Sequence, residues 1–226
     1  MLNKTLVQSL YLNKESYPSN HLLNWVEAYK SIHGTHQSQR QVDKEALEHE
    51  YDIKISNQDD LYWLINCLER FYEIALRTIC ANSLTPKRPS TKEICMSEFF
   101  NENGLSNYLD GIPTTWLDNL DDTLIEEGIK NLWESSQHLI QQNNSSNVIH
   151  NLFEDVFPRA IRHSLGEYYT PSWLVDFTTS LLTVDNNITS SKIRILDPTC
   201  GSGSFISGMI KKLHQNFSDK AFEMVE

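Results

Sequence analysis

The residues of this chain with the types and spacing to do chemistry run from Asp197 to Phe205, as Asp197-Pro198-Thr199-Cys200-Gly201-Ser202-Gly203-Ser204-Phe205. Before them, Ile193 to Leu196 reads as a short buried strand. After them, Phe205, Ile206, Met209, Ile210 and Leu213 recur near every 3.6 residues and predict a helix. A strand, glycine turn and helix in that order gather backbone N–H groups and a helix N-terminus around one small pocket. Three ligand classes use such a turn. A phosphate loop needs a Gly-Lys pair, which is absent, and Lys211 and Lys212 come two helical turns too late. A dinucleotide loop needs a third glycine, and Ile206 stands there instead. The carboxylate of Asp197 would repel a phosphate, but suits a ligand with positive charge and hydroxyls. S-adenosylmethionine has an ammonium, a sulfonium and a ribose, and the chemistry leans to it.

Asp197 to Phe205 resembles motif I of the S-adenosylmethionine-dependent N6-adenine DNA methyltransferases. Leu165-Gly166-Glu167-Tyr168-Tyr169-Thr170-Pro171 resembles their motif X, which in this class precedes motif I. The lead-in Phe157 to Ser164 is similar to the large restriction–modification enzymes in particular. The resemblance covers about Glu154 to Leu213. It implies a Rossmann-like α/β domain in which Asp197, Pro198, Thr199, Cys200, Gly201, Gly203 and Phe205 hold the cofactor. Tyr169, Thr170 and Pro171 would close over its methionine part.

The elements that must position these residues are partly legible. Gly166 permits a tight turn. Thr170 followed by Pro171 predicts a helix start, with a hydroxyl N-cap and proline at the first helical position. That helix, over 171–182, is expected to bury Leu174, Val175, Thr178 and Leu181. Arg159 and Arg162, three apart, are candidates for a DNA phosphate or the cofactor carboxylate. His163 has no visible partner and reads as structural rather than as a base.

Upstream, His21 to Ile32 predicts an amphipathic helix carrying Leu22, Trp25, Val26, Tyr29 and Ile32, ended by Gly34. A charged helical piece spans 45–51. A long helix over 59–81 bears Leu61, Leu64, Ile65, Leu68, Phe71, Ile74, Ala75 and Ile79. Its interleaved aromatics read as a core-packing face rather than a base-stacking one. Residues 1–20 are weakly patterned, 83–91 form a loop around Pro86 and Pro89, and 95–117 are mixed. Another helix begins near Asp118, with Leu124, Ile125, Ile129, Leu132, Leu139 and Ile140 inward. Gln141 to Asn147 is the most linker-like stretch. A last amphipathic run, 148–161, carries Ile149, Leu152, Phe153, Val156 and Phe157. The expected fold is therefore a mainly α N-terminal module over 1–147, then the beginning of an α/β Rossmann-like methyltransferase domain over 148–226, with its first strand and flanking helices only.

The net charge of −11 is unevenly distributed. Residues 158–226 hold seven Lys/Arg and seven Asp/Glu, so the acidic excess belongs to the N-terminal module. An acidic surface is repelled by phosphates and argues against DNA binding by that module. No stretch approaches the ~18 apolar residues of a membrane span, so a soluble, cytoplasmic protein is expected with no membrane partner. Cys67, Cys80, Cys95 and Cys200 have no zinc-type spacing and read as reduced thiols, with no metal site expected.

The chain departs from the family it resembles. None of its seven prolines is adjacent to another, so the Asn-Pro-Pro-aromatic motif that holds the target adenine is absent and no catalytic residue is assigned. The acidic residue expected on a second strand is also not visible. The resemblance thus implies the N-terminal portion of an adenine-specific DNA methyltransferase, truncated and inactive alone. Double-stranded DNA would be the partner of the full-length enzyme, together with a missing C-terminal half or a restriction or specificity subunit. The alternative is a non-enzymatic helical interaction module, or a split-protein half with a vestigial cofactor loop.

Overall fold

The computed structural model describes residues 4–14, 19–33, 43–105, 122–141, 145–159, 161–162, 170–182 and 193–217. It divides into two compact units. The first holds Met1–Ser145 and Asn151–Glu167, and the second Ser146–His150 and Tyr168–Glu226.

The first unit is built around α4 (Gln58–Leu84), which packs chiefly against α7 (Asp122–Gln141) and also against α1 (Lys4–Leu12) and α5 (Thr91–Cys95). Asn57 caps α4 by accepting from the Asp60 N–H at 2.9 Å, and Asp59 and Asp60 sit in its first turn, where the helix dipole favours negative charge. Every residue from Leu61 to Leu68 is buried, so this stretch is surrounded rather than laid on a surface by one stripe. Farther along, Arg77 and Thr78 are buried while Ile79 is only half-buried. The Arg77 guanidinium donates to the Cys95 carbonyl at 3.2 Å and lies 5.7 Å from the centre of the Phe100 ring, which fixes α5 and α6 (Ser97–Glu102) to α4.

Polar ties fix the remaining helices. Trp63 donates to the Tyr11 carbonyl at 2.8 Å, and the Tyr11 hydroxyl donates to the Lys54 carbonyl at 2.7 Å. Asn82 donates to the Trp133 carbonyl and to the Ser136 hydroxyl of α7. Glu126 of α7 accepts from Arg88 at 2.8 Å and from the Thr91 hydroxyl at the start of α5. The Thr91 and Arg88 bonds hold its carboxyl below the usual glutamate range against partial burial. Tyr29 of α2 (Ser19–His33) stacks on Trp25 and meets Tyr62 edge-on. Tyr51, at the end of α3 (Lys44–Tyr51), donates to the Val156 carbonyl. Val156 ends α8 (Ser145–Val156), where Phe153 and Phe157 pack on Tyr72.

Several sequence expectations change here. Residues 4–12 form a helix with Leu6, Val7 and Leu10 buried, although the stretch looked weakly patterned. Two short helices follow Ser90: Thr91–Cys95, begun by a Ser90–Glu93 capping box where the expected loop ends, and Ser97–Glu102 within the stretch read as mixed. Leu124 is exposed, not inward, because Ile125, Ile129 and Leu132 take the inner face of α7. The linker-like stretch is interrupted, since Ser145 already begins α8. Gly34, the beginning of the helix expected near Asp118, and the side chains of Ile32, Leu139 and Ile140 lie outside the described residues.

The second unit contains α9 (Ser172–Leu181) and α10 (Ser204–Phe217), packed on each other. They approach closely at Gly208. A Cβ there would lie 2.7 Å from Val175 Cγ1 and 3.2 Å from Thr179 Cγ2, so glycine is what lets the helices meet. Lys212 donates to the carbonyls of Thr179, at 2.7 Å, of Ser180, at 3.2 Å, and of Leu182. These contacts fix the direction of the pair. Gly208 is level with the middle of α9, so an antiparallel pair would set Lys212 about 12 Å along the axis from the last carbonyls at ~1.5 Å per residue, beyond its side chain's reach. The two helices run parallel.

The buried face of α9 is Val175 and Thr179 rather than the four residues expected, for Thr178 and Leu181 are exposed and Leu174 is half-buried. The α/β expectation is met only in its helices. Ile193 forms an isolated bridge, 194–197 run without a ladder, and Leu196 is 88% exposed, so the buried strand is corrected. Among the described residues no second strand lies beside it to cover its edges. The protein is mainly helical, and a Rossmann-like sheet is not seen among the described residues.

Candidate functional site

The loop from Asp197 to Gly203 is shaped by two glycines. Gly201 has φ +51° and Gly203 φ +76°, both in the left-handed region that a side chain disfavours. Gly203 N–H donates to the Cys200 carbonyl at 2.7 Å, closing the turn, and the Gly203 carbonyl receives the Ser207 N–H at 2.8 Å as α10 begins. The N–H groups of the first helical turn have no acceptor within the helix and face the loop's end. Ser202 and Ser204 hydroxyls lie 3.0 Å apart.

Asp197 organises the near side of the loop. Its Oδ1 accepts from the Thr199 N–H at 3.1 Å and from the Thr199 hydroxyl at 3.4 Å, an Asx-type turn. Its Oδ2 is shielded from water and has no hydrogen-bond partner. A buried carboxylate oxygen without a donor is costly, on the order of 1–3 kcal/mol or more. A donor brought by a ligand satisfies it. Ribose hydroxyls and an ammonium are both donors, so the residues present fit S-adenosylmethionine at this point.

The parallel pairing of α9 and α10 adds a second segment. It places the start of α9, at Pro171 and Ser172, level with the start of α10, at Gly203 and Ser204. Thr170 and Pro171 are thus brought to the same end of the helix pair as the glycine loop. Two helix N-termini side by side favour a negative group between them, such as a carboxylate. Thr170 is half-buried and Pro171 exposed. Pro171 occupies the capping position itself rather than the first helical one, and no side chain caps the helix. Its carbonyl receives the Leu174 and Val175 N–H groups instead. The expected threonine cap is corrected by one residue.

Of the other candidate residues, Pro198, Thr199, Cys200 and Gly201 are exposed, and Gly203 and Phe205 are half-buried. Tyr169, Gly166 and His163 lie outside the described residues. Arg162 belongs to the first unit and is engaged there. It donates to the Phe157 carbonyl at 2.9 Å and pairs with Glu154 at 3.0 Å, so it serves the end of α8 rather than a ligand. Sequence reasoning missed Gly208 and Lys212. An isolated glycine within a helical pattern was a signal for the first. No local pattern marks the second, whose acceptors lie about thirty residues away.

Among the described residues, no group of three or more His, Cys, Asp or Glu could hold a metal ion, and no helix is long and apolar enough to cross a membrane. No curated protein and no solved structure matches the chain. A family model described as N-6 DNA Methylase matches residues 148–225, a span that holds the glycine loop, α9 and α10, and this match supports a DNA N6-methylase function in general.

Proposed function

We propose that residues 148–226 belong to the cofactor domain of a site-specific, adenine-N6 DNA methyltransferase of restriction–modification type, a cytoplasmic enzyme. The observation that carries this reading is Asp197 Oδ2, buried without a partner at the foot of a glycine turn that opens into a helix. When bound, S-adenosylmethionine supplies the methyl group that passes from its sulfonium to the exocyclic amine of adenine. In this reading Asp197 accepts hydrogen bonds from the cofactor's donors. Gly201 and Gly203 let the backbone come close, and Pro198, Thr199, Cys200 and Phe205 line the loop. Tyr169, Thr170 and Pro171 cover the amino-acid end. Such positioning, rather than acid–base chemistry, is the chain's share of the acceleration.

The target base must be turned out of the duplex to reach a methyl donor. No Asn-Pro-Pro-aromatic sequence occurs in these residues, so another segment or another chain supplies the adenine clamp, and no methyl transfer is expected from these residues alone. Double-stranded DNA is the proposed substrate of the assembled enzyme, with a complementary methyltransferase half or a restriction or specificity subunit as partner. The exposed Trp173, Phe177, Leu181 and Leu196 favour a second reading, in which the second unit is a docking half of a split protein whose cofactor loop is vestigial. Titration with S-adenosylhomocysteine separates the two. The enzyme reading expects saturable binding that falls about tenfold or more in Asp197→Ala, the loss of roughly one charge-assisted hydrogen bond. Equal affinity in both proteins would remove Asp197 from the site.

A further inference from the structure

We infer that Lys212 is a positioning residue that sets how far α9 extends along α10, and through it where Thr170 and Pro171 stand over the glycine loop. The inference rests on the cofactor reading above for its ligand, but the helix clamp itself stands on geometry. Lys212 donates to three carbonyls at the C-terminal end of α9, those of Thr179, Ser180 and Leu182. That end carries the negative end of the helix dipole, which a cation offsets, although the Thr179 carbonyl also receives the Leu182 N–H at 3.2 Å. The remaining contacts between the helices hold them together without engaging the end of α9. Gly208 seats against Val175 and Thr179, which sets how closely the helices approach. Asp176 and Lys211 are 3.8 Å apart with both side chains more than half exposed, and such pairs contribute little.

The direction of the pair turns this clamp into a lever. Because α9 and α10 are parallel, the lysine holds their C-terminal ends while the ligand-facing segments occupy their N-terminal ends. A slip of one residue along the axis moves Pro171 by about 1.5 Å relative to Gly203. A shift of about an ångström is enough to spoil a binding geometry. Lys212 therefore acts on the ligand through α9 without touching it. The amino-acid end of the cofactor would feel the slip, because α9 begins there. The adenosine end, held by Asp197 and the glycine turn, would not.

Two measurements test the inference. The first needs no ligand. In a Cys80→Ser, Cys200→Ser background, Asp176→Cys and Lys211→Cys together report the register by the rate at which they form a disulfide with oxidised glutathione. Lys212→Met should change this rate about threefold or more, the scale of one charge at a helix terminus, and Lys212→Arg should restore it. Equal rates in all three backgrounds overturn the inference. The second compares two ligands. Lys212→Met should weaken S-adenosylhomocysteine about threefold or more, yet leave 5′-methylthioadenosine, which has no amino-acid end, within about twofold. Equal loss of both ligands marks general loosening of the fold and overturns the positioning role. If the unaltered chain binds neither ligand, the cofactor reading fails, while the disulfide rates still decide whether Lys212 sets the register.

Discussion

The long helix α4 and the short helix α9 are both apolar, and their surroundings could hardly differ more. From Leu61 to Leu68 every side chain of α4 is buried, with α1, α5 and α7 packed on it. In α9 only Val175 and Thr179 are buried, while Trp173, Phe177 and Leu181 are 67%, 57% and 66% exposed. The three recur every fourth residue, so they form one continuous stripe on the side away from Gly208. Lone exposed apolar residues are ordinary, but a stripe with two aromatics marks a surface made to be covered. The contrast teaches that α4 spends its apolar surface on the first unit's core. The second unit leaves the α9 stripe and the shielded Asp197 oxygen open to something else.

The comparison can be broken most forcefully in the first unit. Phe71 is fully buried in the centre of α4, and Phe71→Ala should cost about 3–5 kcal/mol in urea unfolding followed by far-UV circular dichroism. A loss under ~1 kcal/mol would mean that this core is not packed as described. In the second unit the corresponding pressure point is Gly208. Gly208→Val pushes a side chain onto Val175 and should cost about 1–3 kcal/mol of local stability, read as faster amide exchange across α9 while α4 keeps its protection. Exchange that quickens equally in both helices would show that the two units unfold together.

A smaller change sharpens the picture of the first unit. Asn66 is completely buried, and neither atom of its amide has a hydrogen-bond partner. Asn66→Leu removes that desolvated amide and should raise stability by about 1 kcal/mol, against the usual sign for a core substitution. A clear loss would show that the amide is satisfied by water. The smallest effect expected is a pH dependence. The Thr91 and Arg88 bonds hold the Glu126 carboxyl below its usual value of 4.5, so it stabilises the folded state above that pH and the contribution disappears as the pH falls through the folded value. Glu126 is nearly half exposed, so the effect stays under ~1 kcal/mol. Glu126→Gln should therefore be slightly less stable than the unaltered chain at pH 7, by urea midpoints, and the difference should shrink as the pH falls below 4.5.

How much was legible in the sequence follows the same division. The inner stripe of α4 could be read from Leu61, Leu64, Ile65, Leu68, Phe71 and Ile74, because a packed helix repeats its apolar residues at its own period. The burial of Asn66, Arg77 and Thr78 could not be read, since it comes from neighbours on more than one side. The short helix with Leu6, Val7 and Leu10 was also hidden, for three apolar residues in one and a half turns are a weak signal until α4 and α3 receive them. In the second unit, Asp197, Gly201 and Gly203 stood out because few backbones need a carboxylate and two glycines in that order. The strand expected at Ile193 to Leu196 was read from residue type alone. Apolar residues specify a strand only when another strand takes their hydrogen bonds, and none does among the described residues. Lys212 and its carbonyls were invisible for the same reason, as their meeting depends on which way two helices run.

The most direct test of the central claim, that the glycine loop and the start of α9 form a cofactor site, is amide hydrogen exchange with and without S-adenosylhomocysteine. The account predicts added protection over residues 170–176 and 197–208 and none in α4 or α7. Exchange that is unchanged everywhere, or protection that appears in the first unit and spares Asp197 to Gly203, would contradict it.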